Sequence, residues 1–128
     1  MLRADGETTI AADAFILALG GASWPQLGSD GAWQSWLQPV GLDIETLQPS
    51  NCGFEYAWSD FFKSKFAGAP LKPLRIKLDQ TEGNGLQGEC VISEYGLEGS
   101  LVYALSADIR DAIQARGQCT IRLDLLPD

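Results

Sequence analysis

Apolar and polar residues alternate with a period of two at Leu74-Arg75-Ile76-Lys77-Leu78. That pattern predicts a strand with Leu74, Ile76 and Leu78 on one side and Arg75 and Lys77 on the other. Further along, the period lengthens. Leu101, Val102, Leu105, Ile109, Ala112 and Ile113 fall on one face of a helical wheel, which predicts one long helix over 101–116. Ser100 is placed to cap its start and Glu98 to meet its positive end, while Arg116-Gly117 supplies a cationic last turn and a terminal glycine. Shorter strands are expected at Thr8–Ile10, Phe15–Leu19, Cys52–Tyr56, Glu89–Ser93 and Thr120–Leu125. The stretch Trp58–Phe66 reads as one helical turn or an aromatic loop. Several short strands with one long helix point to an α+β fold built on a small barrel or curled sheet.

The first part of the chain has a different grammar. Residues 14–31 read AFILALGGASWPQLGSDG, an apolar run ending in paired glycines. Ser29 or Asp30 is suited to cap a short helix whose apolar side is Trp33, Trp36 and Leu37, and Pro39 and Gly41 stop it. A domain boundary is expected near Gly41, giving domains 1–42 and 43–128. The run, the glycine turn and the capped helix are the pattern of a nucleotide-binding α/β domain, yet only 13 residues precede them. With an initiator Met at the head of MLRADGETT, the chain reads as a piece of a larger enzyme. At Gly20-Gly21 and Ser23 two readings stand side by side. Without a Cβ the backbone can come against a ligand, or the pair simply makes a tight turn.

Composition narrows the function. A net charge of −8 argues against a sequence-independent grip on DNA or RNA. The chain has no histidine, which removes the commonest general base and every Ser-His or Cys-His nucleophile. Cys52, Cys90 and Cys119 are odd in number and widely spaced, so neither a disulfide framework nor a zinc site is expected. Reduced thiols, no secretion signal and no membrane-length apolar run suggest a cytoplasmic protein.

Three motifs invite chemistry and are better read without it. Gly83-Asn84-Gly85-Leu86-Gln87-Gly88 matches GxGxxG, but a short β-branched stretch follows where a dinucleotide site needs a helix. A hairpin turn at Asn84-Gly85 is expected instead. Lys63, Lys65, Lys72, Arg75 and Lys77 form a local cationic stripe, able to touch a phosphate of NADPH or RNA but ordinary for the solvated face of a strand. Glu89, Glu94 and Glu98 span several elements and are read as surface acids, so no metal site is expected.

Three ordered blocks carry a resemblance. Ala-Leu-Gly-Gly-Ala-Ser-Trp-Pro with Gly-Ser-Asp-Gly (18–31), Gly-Glu-Cys-Val-Ile-Ser-Glu-Tyr-Gly-Leu-Glu-Gly-Ser (88–100) and Arg-Leu-Asp-Leu-Leu-Pro-Asp (122–128) resemble segments of the HI0933-like (YhiN or BaiN type) NAD(P)/FAD-dependent flavoproteins. Leu19 stands where that family usually has Thr, and Glu94 and Ser100 where it commonly has His and Pro. The resemblance implies a fragment of an FAD-binding domain at 1–42 and an inserted β-barrel-like domain at 43–128. It places Gly20, Gly21 and Ser23 at the cofactor and names no catalytic residue in this chain. The parent would be an FAD-dependent oxidoreductase using NAD(P)H to reduce an unsaturated substrate, with the insert covering the cofactor. The isolated piece would bind no cofactor and be inactive, its partner being the rest of the parent. Two alternatives stay open: a uridine-reducing enzyme touching RNA through Lys63–Lys77, or a binding or oligomerisation module using Trp24, Trp33, Trp36 and Trp58.

Overall fold

The computed structural model describes residues 9–128. Residues 1–8, with the expected chain start and Thr8 of the first expected strand, lie outside the described residues. The chain divides into two compact units, Met1–Leu47 and Gln48–Asp128.

In the first unit, helix α1 (Trp33–Leu37) forms where the pattern placed it, and a 3-10 turn over Gln38–Val40 ends it at Gly41, left-handed at φ 84°. Trp33 and Leu37 are half-buried, but Trp36 is exposed, so the apolar side is narrower than the pattern suggested. Asp30 turns the chain into the helix by accepting a 3.0 Å bond from the Ala32 amide. The strand expected at Phe15–Leu19 is absent. An extended run becomes a strand only by pairing its backbone groups, and no described segment pairs with this one. Its side chains are exposed, Ile16 almost fully at 95%.

The second unit is a curled antiparallel sheet of five strands in the order β1-β4-β3-β2-β5. They are β1 (Phe54–Glu55), β2 (Pro70–Leu78), β3 (Leu86–Ile92), β4 (Gly96–Glu98) and β5 (Ile121–Asp124). The period-two stretch behaves as its pattern requires, with Leu74, Ile76 and Leu78 all but fully buried. β2 runs further toward the N-terminus than the alternation indicated. Its register against β3 shifts between Leu71 and Leu74, where Pro73 has no N–H for the ladder. The loop between β2 and β3 holds the GxGxxG match. Gly83 and Gly85 take positive φ, and a Cβ on Gly85 would lie 2.3 Å from the Ile76 carbonyl oxygen. Asn84 does not take positive φ, so the turn is not the two-residue type its sequence suggested.

β4 was not anticipated: Glu98 ends a strand paired with β3 and β1, and it directly precedes Gly99, the cap position of the helix that starts at Ser100. Its start is set by Gly96, where a Cβ would come 1.9 Å from the Phe54 carbonyl oxygen.

The aromatic segment resolves as α2 (Asp60–Phe66), capped by the Ser59 hydroxyl accepting from the Phe62 amide. The expected long helix is two helices, α3 (Ser100–Ala104) and α4 (Ser106–Arg116), broken at Leu105. Ser106 accounts for the break. Its hydroxyl lies 3.2 Å from the Val102 carbonyl, a back-bond of the kind that bends helices. Ser100 caps nothing and instead points its hydroxyl at the Glu89 carbonyl. The buried face is the expected one for Leu101, Val102, Leu105, Ile109 and Ala112, but Ile113, placed on the same face by the pattern, is exposed. Gly117 ends α4 in the left-handed region, donating to the Ile113 carbonyl. These helices cover the sheet, and Leu101 packs against Gly88, where a Cβ would meet it at 3.3 Å. No described helix is long and apolar enough to cross a membrane.

Candidate functional site

The paired glycines sit in a locally organised turn. Gly20 has φ 76°, a conformation that L side chains rarely adopt. Its carbonyl accepts a 3.0 Å hydrogen bond from the Trp33 indole N–H, which fixes the turn to the start of α1. Residues 24–29 close on themselves through reciprocal backbone bonds between Trp24 and Ser29, both 3.1 Å. The closure presents the Ser29 hydroxyl to the glycines, 3.6 Å from a Cβ built on Gly20 and 3.9 Å from one on Gly21. The amides of Gly20 and Gly21 meet no acceptor among the described residues. Beside them lies a shallow apolar cavity of about 260 Å³ lined by Leu17, Ala18, Leu19, Gly20, Trp33 and Leu37.

Of the three residues assigned to the cofactor, Gly20 and Gly21 therefore share one turn beside Ser29, with Gly20 on the cavity wall. Ser23 is exposed and makes no hydrogen bond among the described residues. Trp33 and Ser29 were not singled out as site residues. The pattern cast Trp33 as an apolar helix position and Ser29 as a cap, and only the tertiary turn brings both to the glycines.

The second unit carries a larger groove of about 760 Å³, within the range of small-molecule and peptide sites. β1 contributes Phe54 and Glu55 to one wall, and Cys119, Thr120 and Ile121 at the start of β5 form the other. Val102 and Ile109 belong to the apolar lining. Burial pushes the Cys119 thiol up from its usual value, which keeps it protonated and weakly nucleophilic. Cys90 is raised by burial as well, and all three cysteines are free thiols. Next to the groove an aromatic row runs Tyr56, Trp58, Phe62, Phe66 with ring centroids 4.4, 4.5 and 4.8 Å apart. The Trp58 indole N–H anchors it to the Gly96 carbonyl at 3.3 Å.

The cationic stripe divides between two elements. Lys65 lies over the Phe61 and Phe66 rings on α2, whereas Arg75 on β2 faces Asp124 at 3.8 Å and Gln87 at 3.2 Å.

Residues 48–128 match the family described as HI0933-like protein barrel and H2TH domain. The whole chain is similar to a 3-dehydro-bile acid delta(4,6)-reductase of Clostridium scindens, with 27% identity over 128 residues. The chain spans about a third (31%) of that relative's length.

Proposed function

The chain belongs to the HI0933-like family, and from that premise we propose that it is part of an FAD-dependent oxidoreductase that reduces an unsaturated substrate with NAD(P)H. The observation that carries this reading is the similarity to a reductase across all 128 residues, the first unit included. In this reading residues 1–42 belong to the FAD-binding domain, and residues 43–128 are the barrel inserted into it, covering the cofactor and shaping the substrate pocket. The rest of the parent polypeptide is the partner of both.

The first unit fits part of such a cofactor. Gly20 and Gly21 offer bare backbone and two amide donors, and the cavity beside them is apolar enough for a flat ring edge. The strand, glycine loop and helix N-terminus that hold a dinucleotide's diphosphate would lie elsewhere in the parent. Bound flavin would supply the hydride chemistry. The residues here would position it: Trp33 holds the Gly20 carbonyl, which leaves the glycine amides as the groups facing a ligand.

The test is the full-length protein. Flavin absorbance at one equivalent, bleached by NADH or NADPH without oxygen and restored by an enone or dienone, is the expected result. A full-length protein that purifies and refolds without flavin overturns the reading.

A further inference from the structure

The chain enters the second unit along α4 with no strand to hold it. Residues 48–52 make no backbone–backbone hydrogen bond among the described residues, and Gln48, Pro49, Ser50 and Asn51 are exposed. A column of polar side chains on α4, spaced one turn apart, holds them instead. The Cys52 amide donates to the Ser106 hydroxyl at 3.3 Å, Arg110 donates through Nη1 to the Pro49 carbonyl at 2.8 Å, and Gln114 donates to Gln48 Oε1 at 2.6 Å. From Ser106 to Gln114 the helix rises about 12 Å, and four residues of extended chain reach at most about 14 Å. The segment therefore runs nearly straight, antiparallel to the helix. Pro49 stiffens it, with its own φ fixed and Gln48 held out of the helical region.

The residues just before behave differently. Residues 42–47 belong to no helix or strand and make no backbone–backbone hydrogen bond among the described residues. The two units part between Leu47 and Gln48, where the column on α4 comes to its end. We infer that this column is a strap on the chain joining the units, with Arg110 as its central positioning residue, and that it confines bending at the joint to residues 42–47. Arg110 is built for the task. Asp111 Oδ1 accepts from its Nε at 3.0 Å and its Nη2 at 2.8 Å, which aims Nη1 at the Pro49 carbonyl. The bond is charge-assisted, the stronger kind. Yet Arg110 and Gln114 grip exposed chain and can let go while Ser106 and the apolar core stay in place. The joint thus has a short form, 42–47, and a longer one, 42–51, when the strap opens. Neither form involves a cofactor, so the strap stands or falls apart from the flavin reading.

The test is backbone nitrogen-15 relaxation on the full-length protein. Expected are order parameters of about 0.85 at Ser50, Asn51 and Cys52, as in β2, and below about 0.6 over residues 42–47. Arg110→Ala should bring Ser50 and Asn51 below about 0.6 while α4 and β1 keep their order. Arg116→Ala, which removes a bond from the same helix to Gln80, should leave both residues unchanged. The parent alone can overturn the inference, if Ser50 and Asn51 are as loose as residues 42–47 or if residues 42–47 are as ordered as β2. Unchanged order at Ser50 and Asn51 in Arg110→Ala overturns it too. So does a loss of order throughout α4 in that variant, which makes Arg110 a part of the helix packing instead of a strap.

Discussion

The Ser106 hydroxyl oxygen lies 3.3 Å from both the amide nitrogen and the carbonyl oxygen of Cys52, joining residues 54 positions apart. Ser106 is the buried polar residue of this core, 1% exposed, and it links the segment entering β1 to the break between α3 and α4. Ser106→Ala leaves the Cys52 amide without its partner and should cost about 1–3 kcal/mol. Cys52→Ala, which keeps the backbone groups, should cost clearly less. Denaturant unfolding of the two variants checks the difference.

Leu105→Ala should destabilise by about 2–5 kcal/mol, because Leu105 is buried at the helix break in the main apolar cluster. Gln114→Ala removes an exposed side chain that donates a hydrogen bond to Gln48 and should stay within about 0.5 kcal/mol. Equal melting of the two variants would contradict the assignment of the buried face.

Much of this second unit was legible from pattern alone. Leu74, Ile76 and Leu78 alternate so regularly that burial of one side was forced. Leu105 and Ile109 sat on the right face even though the helix is interrupted. The interruption escaped the pattern because it depends on one hydroxyl meeting a carbonyl, and Ser106 keeps the helical period intact. β4 escaped because Gly96-Leu97-Glu98 is too short to show alternation, and its identity comes from the strands on either side. The turn at Gly20-Gly21 was visible as composition, but its tie to Trp33 crosses 13 positions and has no periodic signature. Phe15–Leu19 shows the converse failure, since an apolar run names a strand only when a partner stands beside it.

Gly96→Ala should disrupt the β1–β4 pairing. The new methyl would meet the Phe54 carbonyl and the Glu55 Cα, both backbone atoms that cannot swing aside. The cost should reach or exceed the 1–3 kcal/mol range of overpacking, roughly. Gly68→Ala meets open space at φ 86° and should lose only the left-handed penalty of about 1–2 kcal/mol. Thermal melts of both variants, with exchange at Tyr56 as a local probe, separate the effects.

Arg122 donates a hydrogen bond to the Asp79 carboxylate, which with the Arg122 charge holds that carboxyl below its usual range. A carboxyl depressed on folding contributes stability that is full above its unfolded pKa and is lost as pH falls through the folded value. Asp79→Asn should therefore lower the melting temperature somewhat at neutral pH, where the contribution is full, and flatten part of the acid-side decline, so that variant and parent converge in acid. Both groups are exposed, so the effect should shrink in high salt. A decline equally steep in the variant would remove Asp79 from the account.

At the paired glycines, Gly21→Val discriminates between a ligand contact and a plain turn. The nearest atom to a Cβ on Gly21 is the Ser29 hydroxyl at 3.9 Å, an ordinary contact, and Gly21 does not take a positive φ. In the full-length protein the variant should fold and release FAD, read as lost flavin absorbance after gel filtration. Unchanged FAD affinity in a folded variant would reduce Gly20-Gly21 to a turn.

The row from Tyr56 to Phe66 also gives this protein a built-in optical division. Of its four tryptophans, Trp24, Trp33 and Trp36 belong to the first unit and Trp58 alone to the second. Trp58 is half-buried against Phe62, while Trp24 and Trp36 are more than 60% exposed. Its emission should lie to the blue of theirs. A Trp58→Phe variant then leaves fluorescence that reports the first unit alone, and subtracting it from the parent spectrum follows the barrel through the same titration.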